Sequence, residues 1–230
     1  MKKLMCCAIV LVSTMSFALP SRSYAAPLLA VDFGLATTPV QPGFNGMAGA
    51  PVEPLSTAPF APYTVTLQGE GYYTAGFNAG NVDPSVAALY ENYYYHNSTT
   101  NGVGITLSIA GITPNTDYDV TLWTYDEDNI FSLTPTTWGP TASTTGTSGS
   151  ITNFATPYPT DLSFNQITIR VQSTTSTLDI FGTTTGGQGG TRLNGFELNA
   201  VPEPCTAMLS GIGVVIAMGR RNSFGWKRKR

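Results

Sequence analysis

Between Asp32 and Glu203 the chain has no cysteine, no lysine, one histidine and two arginines. Each absence excludes something. Without cysteine this stretch forms no disulfide, so a hydrophobic core must hold it together. One histidine and no cysteine leave no ligand set for a zinc site. Against Arg170 and Arg192 stand all fourteen acidic residues of the sequence, a net charge of about −12 for the stretch. A field of that sign repels phosphate backbones and excludes nucleic acid as a partner, while it favours cations. Long helical periodicity is also missing.

The basic residues sit at the ends. Lys2 and Lys3 precede an apolar run from Leu4 to Leu19, and Ser23-Tyr24-Ala25 offers small residues for cleavage after Ala25. This is the pattern of a secretory signal peptide over residues 1–25. It implies signal peptidase and the secretion translocon as partners. About 175 residues then remain before the C-terminal segment, enough for one domain with a sizeable core. We place that domain at residues 26–200.

Residues 201–230 have three parts. Val201-Pro202-Glu203-Pro204 is followed by the uncharged run Cys205–Gly219, then by Arg220, Arg221 and the Lys227–Arg230 cluster. Proline lacks an amide hydrogen and holds its predecessor out of helix, so the triplet stays extended. A helix over 205–219 covers about 22 Å, short of the ~30 Å of a bilayer core, which suits a transient anchor. The basic end reads as a positive-inside stop. In this order the parts resemble the PEP-CTERM sorting signal of Gram-negative and related bacteria. The resemblance implies recognition by an exosortase-type membrane protease, cleavage near the triplet, and transfer to the cell surface or extracellular matrix. The chain departs from the pattern at Cys205, where Ser or Thr is common, and in the longer tail over Asn222–Trp226.

The domain reads as all-β. Ile105, Leu107 and Ile109 alternate with polar residues, as do Tyr118, Val120 and Leu122, and Ile167, Ile169 and Val171. Period-two alternation marks strands with one buried face. Weaker candidates are Leu29–Gly34, Tyr63–Leu67, Tyr72–Phe77, Thr177–Phe181 and Arg192–Leu198. Eight such strands pack as a two-sheet β-sandwich. One short helix is expected around 84–95, capped by Asp83, with Pro84 in its first turn and Val86, Leu89, Tyr90, Tyr93 and Tyr94 on one stripe. The tyrosines in this run are expected to cover a sheet edge. Thr134–Ser150 and Gly182–Thr191, rich in Thr, Gly and Ser, read as long loops.

Val31-Asp32-Phe33-Gly34, Gly111-Ile112-Thr113-Pro114-Asn115-Thr116-Asp117-Tyr118 and Arg192-Leu193-Asn194-Gly195-Phe196-Glu197-Leu198 together resemble jelly-roll modules of the galactose-binding-like superfamily, of malectin-like and carbohydrate-binding-module type. The Pro-Asn-Thr-x-Tyr piece also resembles fibronectin type III modules, where a tyrosine packs at a sandwich corner. The resemblance to the jelly-roll modules implies carbohydrate binding and a structural calcium.

Chemistry-bearing residues are few. No nucleophile elbow accompanies His96, which reads as structural. Asp126-Glu127-Asp128 is the densest acidic group and the candidate calcium site, since calcium takes six to eight oxygen ligands; as a carboxylate cluster it is also the candidate for glycosidase chemistry. Trp123, Tyr125 and Trp138 are candidate sugar-stacking rings. Trp123 and Tyr125 are opposite in phase to Val120 and Leu122, so they form an outward strip unless both faces of the sheet are covered. The expectation is a non-enzymatic surface or matrix protein that binds glycan, with exopolysaccharide as partner. The rivals are a purely structural matrix protein and a glycoside-acting enzyme.

Overall fold

The computed structural model describes residues 26–74, 82–97, 102–126, 135–152, 158–184 and 190–202. Residues 1–25, expected to be a signal peptide, together with Glu127, Asp128, Glu203, Pro204, the 205–219 segment, Arg220 and Arg221, lie outside them. Among the described residues no helix is long and apolar enough to cross a membrane.

Among the described residues fifteen strands and one helix follow in chain order: β1 (Leu29–Leu35), β2 (Asn45–Gly49), β3 (Leu55–Phe60), β4 (Tyr63–Gln68), β5 (Gly71–Thr74), α1 (Ala87–Glu91), β6 (Asn92–His96), β7 (Gly104–Ala110), β8 (Asp117–Trp123), β9 (Pro135–Pro140), β10 (Thr144–Gly146), β11 (Gly149–Thr152), β12 (Gln166–Ser173), β13 (Thr177–Thr184), β14 (Thr191–Leu193) and β15 (Gly195–Ala200). They form two six-stranded sheets, β10-β12-β8-β15-β1-β2 and β11-β9-β13-β7-β4-β3, and a small third sheet, β14-β6-β5. Every pairing is antiparallel except β1 with β2. The all-β sandwich expected from the alternating runs is present.

Alternation explains the core. Val120, Leu122, Ile169, Val171, Phe196 and Leu198 of one large sheet are buried together with Val65, Leu67, Ile105, Leu107, Ile109, Leu178 and Ile180 of the other. A fully buried side chain of this size stabilises by roughly 1.5–3 kcal/mol, which is how a domain without disulfides holds. At one corner Tyr118 is buried and its hydroxyl accepts a hydrogen bond from the Thr113 amide at 2.9 Å. Asn115 takes a positive φ of 59° in the turn before it, a conformation asparagine tolerates better than most residues.

Three expectations are corrected. The helix is shorter than 84–95: it runs Ala87–Glu91, and Asn92 turns extended at φ −134°, ψ 156°. Tyr93 to Tyr95 alternate in β6, because that segment pairs with β14 on one side and β5 on the other. Aromatic runs suit strands, and tertiary pairing decides between the two periodicities. Asp83 does not cap the helix; its Oδ1 accepts from the Ser85 amide and hydroxyl in the turn before it. Finally, Thr134–Ser150 is not one long loop, since β9, β10 and the start of β11 lie within it.

A second, smaller cluster covers one end of the outer face of the β8 sheet. Val82, Val86, Leu89, Tyr90, Trp123 and Tyr125 pack there with Phe44, Tyr158 and Leu162. The 82–91 and 158–164 segments thus roof one end of that sheet.

Candidate functional site

At its Trp123 end β8 is covered on both faces, and this relocates the aromatic candidates. Trp123 is 2% exposed; its Nε1 donates to the Leu162 carbonyl at 2.7 Å and its ring stands edge-on to Phe44. Tyr125 is fully buried against Tyr90, with ring centroids 5.6 Å apart. Trp138 points inward from β9 into the main core and is fully buried. None of the three presents a ring face to a sugar. The structure does not bring them into one strip: two belong to the roof, one to the core.

Asp126 is corrected too. Its carboxylate is 1% exposed and Oδ2 accepts from Arg192 Nε at 2.9 Å. The guanidinium carbon of Arg192 lies 5.1 Å from the Tyr93 ring centroid and 5.7 Å from that of Tyr95. A carboxylate engaged with a buried guanidinium is not offered to calcium. Burial and the neighbouring Asp126 charge raise the Tyr93 phenol far above its ordinary range. Among the described residues no group of three or more His, Cys, Asp or Glu is arranged to hold a metal ion.

Three further aspartates are each engaged. Asp119 takes Arg170 bidentately, at 2.8 and 2.9 Å, on an exposed face. Asp179 accepts from the Ser108 and Ser143 hydroxyls. Asp32 is buried under the roof, where the Gln41 amide donates to it at 2.6 Å. Desolvation pushes its carboxyl up to about 7, the Gln41 bond opposing and the Glu91 charge adding.

An open cleft lies elsewhere among the described residues, on the outer face of the β13-β7-β4 region. Phe181, Thr106 and Gln68 point outward from adjacent strands, because Ile180, Ile105 and Leu67 beside them point into the core. Register aligns them in one row: Phe181 is opposite Thr106, and Thr106 opposite Gln68. Gly139 flanks Phe181 on its other side, so no side chain from β9 stands next to the ring in that row. His96, at the end of β6, and Gly102-Val103-Gly104 wall a cleft of about 240 Å³ over Gln68, Gly69, Thr106 and Phe181. Gly104 is needed there: a Cβ would collide with the Gly182 carbonyl.

His96 Nδ1 is buried and makes no hydrogen bond; Glu70 Oε1 stands 3.7 Å from it. The cleft thus combines a partly open aromatic ring, an amide, a hydroxyl and an imidazole. That mixture suits a polyhydroxylated ring, whose C–H face packs on an aromatic while its hydroxyls reach polar groups. Reading the sequence missed this site. Its one signal was Phe181, an apolar residue out of phase with Leu178 and Ile180.

No protein-family model matches the chain, and no curated protein matches it. Among solved structures the chain is similar to β-glucuronidase 2 of Bacteroides uniformis, at 16% identity and a TM-score of 0.44. A second B. uniformis β-glucuronidase structure gives 14% and 0.45, and the extracellular domain of ANXUR1 from Arabidopsis thaliana gives 14% and 0.44. Each alignment covers 76% of this chain; it covers 18% of the glucuronidase chains and 42% of the ANXUR1 chain.

Proposed function

We propose that this chain is a non-catalytic, glycan-binding β-sandwich, exported by its N-terminal segment and sorted by its C-terminal one to the cell surface or matrix. The observation that carries the binding role is the Phe181–Thr106–Gln68 row under His96, an open aromatic and polar cleft on an otherwise threonine-rich sheet face. Its volume of about 240 Å³ suits one sugar ring of a longer chain. Small-molecule pockets run to ~300–1,000 Å³, so a larger ligand would extend beyond it.

The export role rests on the sequence: the apolar run behind Lys2 and Lys3, and Val201-Pro202-Glu203-Pro204 before an apolar segment and Arg220-Arg221. In this reading signal peptidase and an exosortase-type protease process the two ends.

Two measurements test the reading. Retention of the purified domain on insoluble polysaccharides, lost in Phe181→Ala, supports binding; no retention on any of them leaves a structural matrix role. Intact mass of the native surface form reports processing: loss of residues 1–25 and cleavage near Pro204 are expected, and a full-length cytosolic chain refutes export.

A further inference from the structure

Resting on the glycan-binding reading of the cleft, we infer that its ligand is a neutral saccharide, and that uronic, sulfated or phosphorylated polymers are excluded. The argument is an inventory of positive charge. An anionic sugar is normally met by arginine or lysine, whose donors satisfy the carboxylate or phosphate. From residue 26 to 200 the sequence supplies Arg170 and Arg192 and no lysine. Both are committed. Arg192 is buried, with Nε on Asp126 and its guanidinium over Tyr93 and Tyr95. Arg170 is held through two nitrogens on Asp119, on the other large sheet. Neither lines the cleft.

The charge nearest the cleft has the wrong sign for an anion. Glu70 stands beside His96, its Oε1 3.7 Å from Nδ1. Asp179 lies two residues along β13 from Phe181, on the same outward face, and its oxygens already accept from Ser108 and Ser143. An anionic polymer would bring repeated negative charge against a domain carrying about −11. Salt screens the distant part of that field, but groups within a Debye length of ~8 Å at physiological ionic strength still act.

What the cleft does offer fits uncharged hydroxyls. Gln68 has both donor and acceptor atoms, Thr106 has a hydroxyl that plays either part, and Phe181 gives an apolar face. None of these carries a positive charge, so a neutral ring finds partners for its hydroxyls while an anionic one finds no cation to offset the desolvation of its charge.

The test is affinity electrophoresis of the wild-type domain and Phe181→Ala through gels containing laminarin, galactomannan or dextran, and through gels containing alginate or polygalacturonate. Runs at about 0.01 and 0.15 M salt change the Debye length from ~30 to ~8 Å. Melting curves establish that the variant folds, and Gln68→Ala serves as a second variant. The expected result is retardation by at least one neutral polymer, unchanged by salt and weakened at least about tenfold in Phe181→Ala. Retardation by the anionic polymers alone, lost in Phe181→Ala, overturns the neutral assignment and leaves the glycan reading standing. Neutral retardation that neither variant weakens overturns the assignment to this cleft. No retardation by any polymer overturns the glycan reading, and this inference with it.

Discussion

Gly182 lies directly opposite Trp138 in the β9–β13 ladder, and a Cβ at Gly182 would meet the indole carbons at 2.5–2.6 Å. The largest side chain of the core therefore occupies the space that any other residue at 182 would fill. Gly182→Ala is expected to lower stability by about 1–3 kcal/mol, the usual cost of overpacking. Chemical denaturation followed by tryptophan fluorescence checks this; an unchanged midpoint would show that the indole has room to move.

Arg192 and Asp126 are expected to behave as a unit. Arg192→Leu leaves a buried carboxylate without its cation, which costs about 3–5 kcal/mol in comparable sites. Combining Arg192→Leu with Asp126→Leu removes the charge left behind and should recover part of that loss. Denaturation of the two single variants and the double variant measures the coupling. Additive losses would mean the two side chains do not interact.

Asp32 gives a pH dependence whose sign runs against the usual carboxylate. Its folded-state value is raised from 3.8 to about 7 by burial. The native state therefore holds this proton more tightly than the unfolded chain does. Its stabilising contribution is fully present below about pH 3.8, declines as pH rises toward 7, and is absent above. Asp32→Asn keeps an acceptor for the Gln41 amide and removes the titration. The difference in stability between wild type and Asp32→Asn should thus shift by a few kcal/mol between pH 4 and 7, in the variant's favour at the higher pH. A difference independent of pH would place the Asp32 carboxyl in a more solvated setting.

The sandwich was legible where one face of a strand is buried. The runs through Ile105–Ile109, Tyr118–Leu122 and Ile167–Val171 alternate cleanly, and each became a strand with that face inward. β9, β10 and β11 were not legible, because they are built of Thr, Gly, Ser and Pro around only two large apolar residues, Trp138 and Ile151; their partners, rather than their own pattern, make them strands. Tyr90, Tyr93 and Tyr94 fall on one helical stripe in the sequence, yet Asn92–His96 is a strand because it pairs with β14 and β5.

The site was less legible than the fold. Trp123 and Tyr125 were correctly set on the opposite face from Val120 and Leu122, but sequence does not reveal that a roof covers that face. Gln68, His96, Thr106 and Phe181 are scattered along the chain. Only the cross-strand register and the placement of the β6 end bring them together.

Because the sequence contains a single histidine, the His96 ring gives one distinct set of NMR signals, placed at the wall of the cleft. Titrating the domain with a neutral oligosaccharide of a polymer that retains it tests the account most directly. The account predicts that the His96 and Phe181 ring signals shift together and saturably, while the buried Trp123 and Trp138 indole signals stay in place. Saturable binding that moves other signals and leaves His96 and Phe181 unchanged would contradict it.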